Sequence, residues 1–94
     1  MTKVLLMDNK QKKTLIAAAH HLKPVVMVGQ KGLTNNVLAE TDQTLNAHEL
    51  IKIKIIADDK AERQNIAAQI CEELNATMLN LLGNIAIIYR KRPD

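Results

Sequence analysis

The sequence predicts an α/β fold in two layers, with elements in the order α-β-α-β-α-β-β around a four-stranded mixed sheet. Three observations predict it. Short runs rich in valine and isoleucine alternate with longer segments whose apolar residues recur at helical spacing, which favours parallel strands joined by helices. The last two apolar runs are separated only by Gly83-Asn84, a hairpin connection, so an antiparallel strand must join the sheet. A chain of 94 residues, 47% of them hydrophobic, suits one domain over residues 1–94 with a modest core.

Asp8 followed by Gln11 marks a capped helix start, and Leu15, Ile16, Ala18, Ala19 and Leu22 lie along one face of a helix over 9–21. Pro24 disfavours helical geometry at Lys23 and ends that helix. Val25-Val26-Met27-Val28 is then a short, buried strand. Gly29 breaks the strand. Thr34 is a good N-cap for a second helix that runs to about Ala47, with Leu33 and Leu38 placed for a hydrophobic staple and Val37, Leu38, Thr41 and Leu45 facing inward.

In the run 50–56, Ile51, Ile53 and Ile55 alternate with Lys52 and Lys54, giving a strand with one buried face and one wet, positive face. Asp59 and Glu62 cap a third helix, along which Ile66, Ala67, Ile70 and Leu74 recur at helical spacing as far as Asn75. The hairpin pairs 77–82 with 85–90.

The net charge is only +3, but it is unevenly spread. Residues 1–31 hold six lysines against Asp8 alone, residues 32–80 hold four basic and eight acidic groups, and Arg90, Lys91 and Arg92 crowd the last positions. If the two basic ends meet in space, they make a positive face on a nearly neutral chain. The bland reading is that these are solvated element ends.

Several classes are set aside. One cysteine, Cys71, permits no internal disulfide and no cysteine-rich zinc site, and it fits a reducing compartment. The run Val4-Leu5-Leu6-Met7 is too short for a signal-peptide core, and no segment approaches the roughly 20 apolar residues of a membrane span. A cytoplasmic monomer without membrane contact is the expectation.

Gly29-Gln30-Lys31-Gly32 sits between a strand and a helix, where glycines let a backbone approach a ligand and the helix N-terminus offers unpaired N–H groups. An anion is the natural guest. Such a glycine pair is also ordinary turn chemistry, and Lys31 between the two tilts the reading toward phosphate. The spacing is not that of a nucleotide-triphosphate P-loop, which needs four residues between the glycines and Lys-Ser/Thr after the second. Lys52 and Lys54 share a sheet face and Arg90-Lys91-Arg92 ends the final strand; these groups would contact phosphates, or else simply keep an open face soluble. Lys10, Lys12 and Lys13 open the first helix against its dipole, so local stability does not explain them.

Catalysis has no strong candidate, and neither a cofactor nor a metal is expected. His20 and His21 are neighbours that cannot face one another on a helix, His48 stands alone, and Cys71 reads as a core-edge residue. Asp58, Asp59 and Glu62 are explained by helix capping. With one tyrosine, Tyr89, and neither Phe nor Trp, the chain has no aromatic platform for stacking bases, so recognition of RNA should lean on backbone charge and shape.

The run from Lys10 to Ile55, with Ala19-His20, Leu22-Lys23-Pro24-Val25-Val26, Gly29-Gln30-Lys31-Gly32-Leu33-Thr34 and His48-Glu49-Leu50-Ile51-Lys52, resembles the CRM domain, the chloroplast RNA splicing and ribosome maturation module. The likeness continues through the Gly83 hairpin and Ile88-Tyr89-Arg90, and as a short free-standing chain it is similar to the bacterial YhbY-type members. The resemblance implies a fold similar to the C-terminal domain of translation initiation factor three, with the last strand antiparallel inside the sheet. It also implies RNA binding and association with precursors of the large ribosomal subunit.

The expected RNA contacts are Lys23, Gly29, Gln30, Lys31, Gly32, Lys52, Lys54, Arg90, Lys91 and Arg92. Two other classes stay open: a protein-binding adaptor that uses the sheet face, and a small phosphate-ligand enzyme with an acid or base near 29–34.

Overall fold

A computed structural model describes residues 8–92; Lys3, the Val4–Met7 run and Asp94 lie outside the described residues. The order is α1 (Asn9–Ala19), β1 (Pro24–Val28), α2 (Asn35–His48), β2 (Leu50–Ile55), α3 (Lys60–Leu74), β3 (Thr77–Leu82) and β4 (Ile85–Tyr89). The strands lie in the order β1-β2-β4-β3. β1 runs parallel to β2, and β4 is antiparallel to both β2 and β3, so the final strand is inserted between its neighbours as the family resemblance implies.

Local chemistry sets the boundaries. Each helix begins on a side chain that accepts from a free N–H: Asp8 from Gln11, Thr34 from Val37 and Asp59 from Ala61. α3 ends on Asn75 in the left-handed conformation, a residue type that tolerates it. The β3–β4 turn has a positive φ only at Gly83, the first of its two central residues, as a type II′ hairpin turn requires. α1 stops at Ala19 rather than 21. Ala18 and, beyond the helix end, Leu22 are exposed, and Leu15, Ile16 and Ala19 pack inward.

The alternation in β2 builds the main core. Ile51, Ile53 and Ile55 are almost completely buried with Val26, Val28, Leu45, Ile70 and Ile88 under α2 and α3. Each such side chain contributes on the order of 2 kcal/mol of transfer free energy. Buried Thr41 meets its hydrogen-bonding need locally, its hydroxyl donating to the Val37 carbonyl at 2.7 Å.

A second, smaller cluster lies on the other sheet face, where Ala19, Leu15 and Ile16 of α1 cover Leu79, Ile87, Leu50 and Tyr89. The expected two layers are therefore the sheet and α2/α3, and α1 adds a partial third layer. The reason is legible in β4, where Ala86 and Ile88 face one cluster and Ile87 the other, so both of its faces need cover.

Candidate nucleic-acid interface

The chain leaves β1 at Val28 and turns through Gly29–Gly32 into α2. The turn is closed by the Gly32 N–H donating to the Gly29 carbonyl at 3.0 Å. Gly32 has φ +82°, which favours glycine. Gly29 has no such demand: its φ is not in the positive region, and a Cβ built there meets no atom within 4 Å. Neither backbone conformation nor packing requires glycine at 29. Gln30 and Lys31, between them, are exposed.

The rest of this sheet end is tied down. The Ile56 N–H donates to the Val28 carbonyl at 2.9 Å and the Ile55 N–H to the Asn84 carbonyl at 2.7 Å, fixing the loop, β2 and the hairpin turn side by side. Arg63 of α3 reinforces the turn by donating to the carbonyls of Gly83 at 3.0 Å and Ala57 at 2.7 Å. Sequence reading missed this role, because the partners are set by tertiary placement.

Because Ile51, Ile53 and Ile55 point into the α2/α3 core, Lys52 and Lys54 lie on the opposite, α1 side of the sheet. Lys54 is paired with Met27 across the strands and is exposed. Lys52 is half-buried and donates to the Leu22 carbonyl at 3.1 Å, holding the segment that carries exposed Lys23. Lys10, Lys12 and Lys13 are exposed on α1. The carboxylates go elsewhere: Glu40 and Asp42 on α2, Glu49 at its end, and Asp58, Asp59, Glu62, Glu72 and Glu73 on or before α3. Among the described residues, Asp8 is the one acid carried by the α1 layer. Most carboxylates thus lie on the α2/α3 side, with Lys60 and Lys91 among them, while Lys10, Lys12, Lys13 and Lys52 lie on the α1 side. At the β1 edge Glu40 shares an open groove with Lys23 and Lys54.

The C-terminal cluster does not join the loop. The Arg90 N–H donates to the Glu49 carbonyl, at the start of β2, while the loop lies beyond its far end, roughly 17 Å of strand away. The Arg90 guanidinium donates to Asp42 Oδ1 at 2.8 Å, Leu74 O at 3.0 Å, Asn46 Oδ1 at 2.9 Å and Asp42 O at 3.1 Å, and its side chain is only 16% exposed. This corrects the sequence expectation of an open phosphate contact at Arg90: its donors join the second half of α2 to the C-terminal end of α3. Arg92 pairs with Glu49 at 3.4 Å. Its backbone N–H, donating to the same carboxylate at 2.8 Å, is the main cause that holds the Glu49 carboxyl below its ordinary range. Lys91 is exposed beside these groups, on the carboxylate side.

Burial pushes the Cys71 thiol up to about 11, which makes it a poor nucleophile at neutral pH. Among the described residues no group of three or more His, Cys, Asp or Glu could hold a metal ion. No described helix is long and apolar enough to cross a membrane.

The chain is similar to known proteins over most of its length. An RNA-binding protein of Haemophilus influenzae is 45% identical over 84 residues, covering 89% of this chain and 85% of its own. A probable RNA-binding protein of Pseudomonas aeruginosa is 37% identical over 89 residues, covering 95% and 86%. The solution structure of a hypothetical protein from Staphylococcus aureus superposes with a TM-score of 0.83 at 26% identity, over 95% of this chain and 93% of that one. The model of the CRS1 / YhbY (CRM) domain matches residues 7–90, and the chain belongs to that family.

Proposed function

We propose that this protein is an RNA-binding factor that associates with ribosomal RNA in large-subunit precursors and assists their assembly. It acts as a cytoplasmic monomer and without catalysis. The observation that carries the reading is the placement of basic groups: Lys52 and Lys54 lie on the sheet face opposite the α2/α3 core, Lys23 and Lys54 stand at the β1 edge beside Glu40, and the Gly29–Gly32 loop stands at the end of that sheet. The names of the relatives support RNA as the partner.

In this reading phosphate oxygens approach the loop closely at Gly29 and Gln30, the Gly32 N–H holding the turn shut, with Lys31 supplying charge and the lysines of β2 neutralising neighbouring phosphates. Contacts of this kind release counterions, so affinity falls steeply with salt while base sequence matters little. Lys91 and Arg92 stand at the opposite sheet end and serve at most its margin. Arg90 serves the fold.

The test has two parts. Affinity for a structured ribosomal RNA fragment should fall with salt at a log–log slope near −3, as about four neutralised phosphates give. In cell extract the protein should migrate with large-subunit precursors. Salt-independent binding, or migration only as free protein, contradicts the proposal.

A further inference from the structure

The α1 layer leaves part of the sheet open, and a groove runs between its C-terminal end and the hairpin. Ile16 and His20 of α1 form one wall, and Lys52, Asn80, Leu82 and Ile85 of the sheet form the other. Strand register explains the opening. Lys52, Ile87 and Asn80 make one transverse row, with Ile87 buried beneath α1; Lys54, Ile85 and Leu82 make the next, where Leu82 is 61% exposed. A register irregularity between Met78 and Asn80 brings both Leu79 and Asn80 to the α1 side, which adds an amide to an otherwise aliphatic wall.

The polar groups in this groove are mostly donors. The Lys52 ammonium gives one proton to the Leu22 carbonyl and has two left. Asn80 Oδ1 accepts from the Leu81 N–H at 3.0 Å, which leaves the Nδ2 donors unpaired among the described residues. His20 can donate or accept. Among the described residues no carboxylate lines the groove. It opens beside Lys54 and the hairpin turn, at the sheet end where β1 enters the Gly29–Gly32 loop.

We propose that this groove receives one unpaired base of the bound RNA and favours a base that presents carbonyl oxygens, uracil or guanine, over adenine. The inference rests on the RNA-binding reading above. A strand held by its phosphates along Lys54 and the loop has its bases within reach of the groove, and aliphatic walls can enclose a base from both sides. Two donors side by side match the O6/N7 edge of guanine or a uracil carbonyl, whereas the adenine N6 amino group meets donors with a donor. The groove thus supplies a base preference that the absence of an aromatic platform had seemed to deny.

The test uses the full chain with oligouridylate and oligoadenylate of equal length at one salt concentration. The proposal expects oligouridylate to bind about fivefold tighter, the scale of one mismatched base edge. Asn80→Leu should abolish that preference while leaving affinity for a fully paired RNA hairpin unchanged. Methyl NMR signals of Ile16 and Ile85 in the unsubstituted protein should shift on adding oligouridylate, which keeps the test independent of the variant's folding. A preference that survives Asn80→Leu, or methyls that stay still while the loop amides move, overturns the groove proposal and leaves RNA binding standing. Methyl shifts that depend on protein concentration without RNA assign the groove to self-association and overturn it as well. If neither RNA moves the loop amides or binds, the RNA-binding reading itself fails.

Discussion

Arg90 and Asp42 stand 48 positions apart in the chain and meet at 2.8 Å, where the arginine also reaches the last carbonyl of α3. The contact closes the end of the domain opposite the loop. It places a cation at the C-terminal end of α3, where the helix dipole favours positive charge, and beside the second half of α2. Arg90→Ala should therefore destabilise the fold by about 2 kcal/mol, the loss of several charge-assisted hydrogen bonds discounted for the half-open Asp42. Arg90→Lys should recover little, because a lysine cannot reproduce the planar fork. Urea unfolding measures both, and RNA affinity of the folded variants should stay near that of the unsubstituted protein.

The two loop glycines should separate fold from binding. Gly32→Ala forces a side chain into φ +82° and should cost about 1 kcal/mol of stability. Gly29→Ala meets open space at an ordinary φ, so thermal unfolding should be unchanged or slightly raised. Its RNA affinity should nevertheless fall, because the new methyl stands where a phosphate approaches.

Glu49 gives a pH signature. Its folded pKa is depressed, chiefly by the Arg92 backbone N–H, so its stabilising contribution is complete above the ordinary unfolded value of 4.5 and is lost as pH falls through the lower folded value. Glu49→Gln should flatten the acid limb of a stability–pH curve in that window, with a slightly lower stability at neutral pH that converges on the unsubstituted protein once the carboxyl is protonated.

Cys71 should be unreactive in the native protein. With the thiol at about 11, alkylation at neutral pH should proceed far more slowly than in urea, where the group regains its ordinary acidity. The sign also predicts lost stability at high pH: the unfolded thiol ionises above about 9 while the folded one resists, so stability declines between those values.

What could be read from the sequence follows interaction range. The caps at Asp8, Thr34 and Asp59, the alternation of β2 and the Gly83 turn involve neighbours within a few positions, and the structure has each of them. The α1 layer was not legible, because whether Leu15 and Ile16 pack on the α2/α3 side or the other depends on which strand faces remain open after the sheet forms. The same holds for the interface. Lys52 and Lys54 shared a face by period alone, but that Arg90 turns inward to Asp42 and Leu74 is decided by groups 48 and 16 positions away. His20 and Asn80, which line one groove, carry no local signal that links them.

The central claim is that the loop and the lysine face of the sheet hold an RNA backbone. The most direct measurement is the dissociation constant for a structured ribosomal RNA fragment across a salt series, for the unsubstituted protein and for Lys31→Ala/Lys54→Ala. Both lysines are exposed, so unfolding should not change. The account predicts weaker binding and a log–log salt slope shallower by about 1.5, the share of two neutralised phosphates. An unchanged slope with unchanged affinity would contradict it.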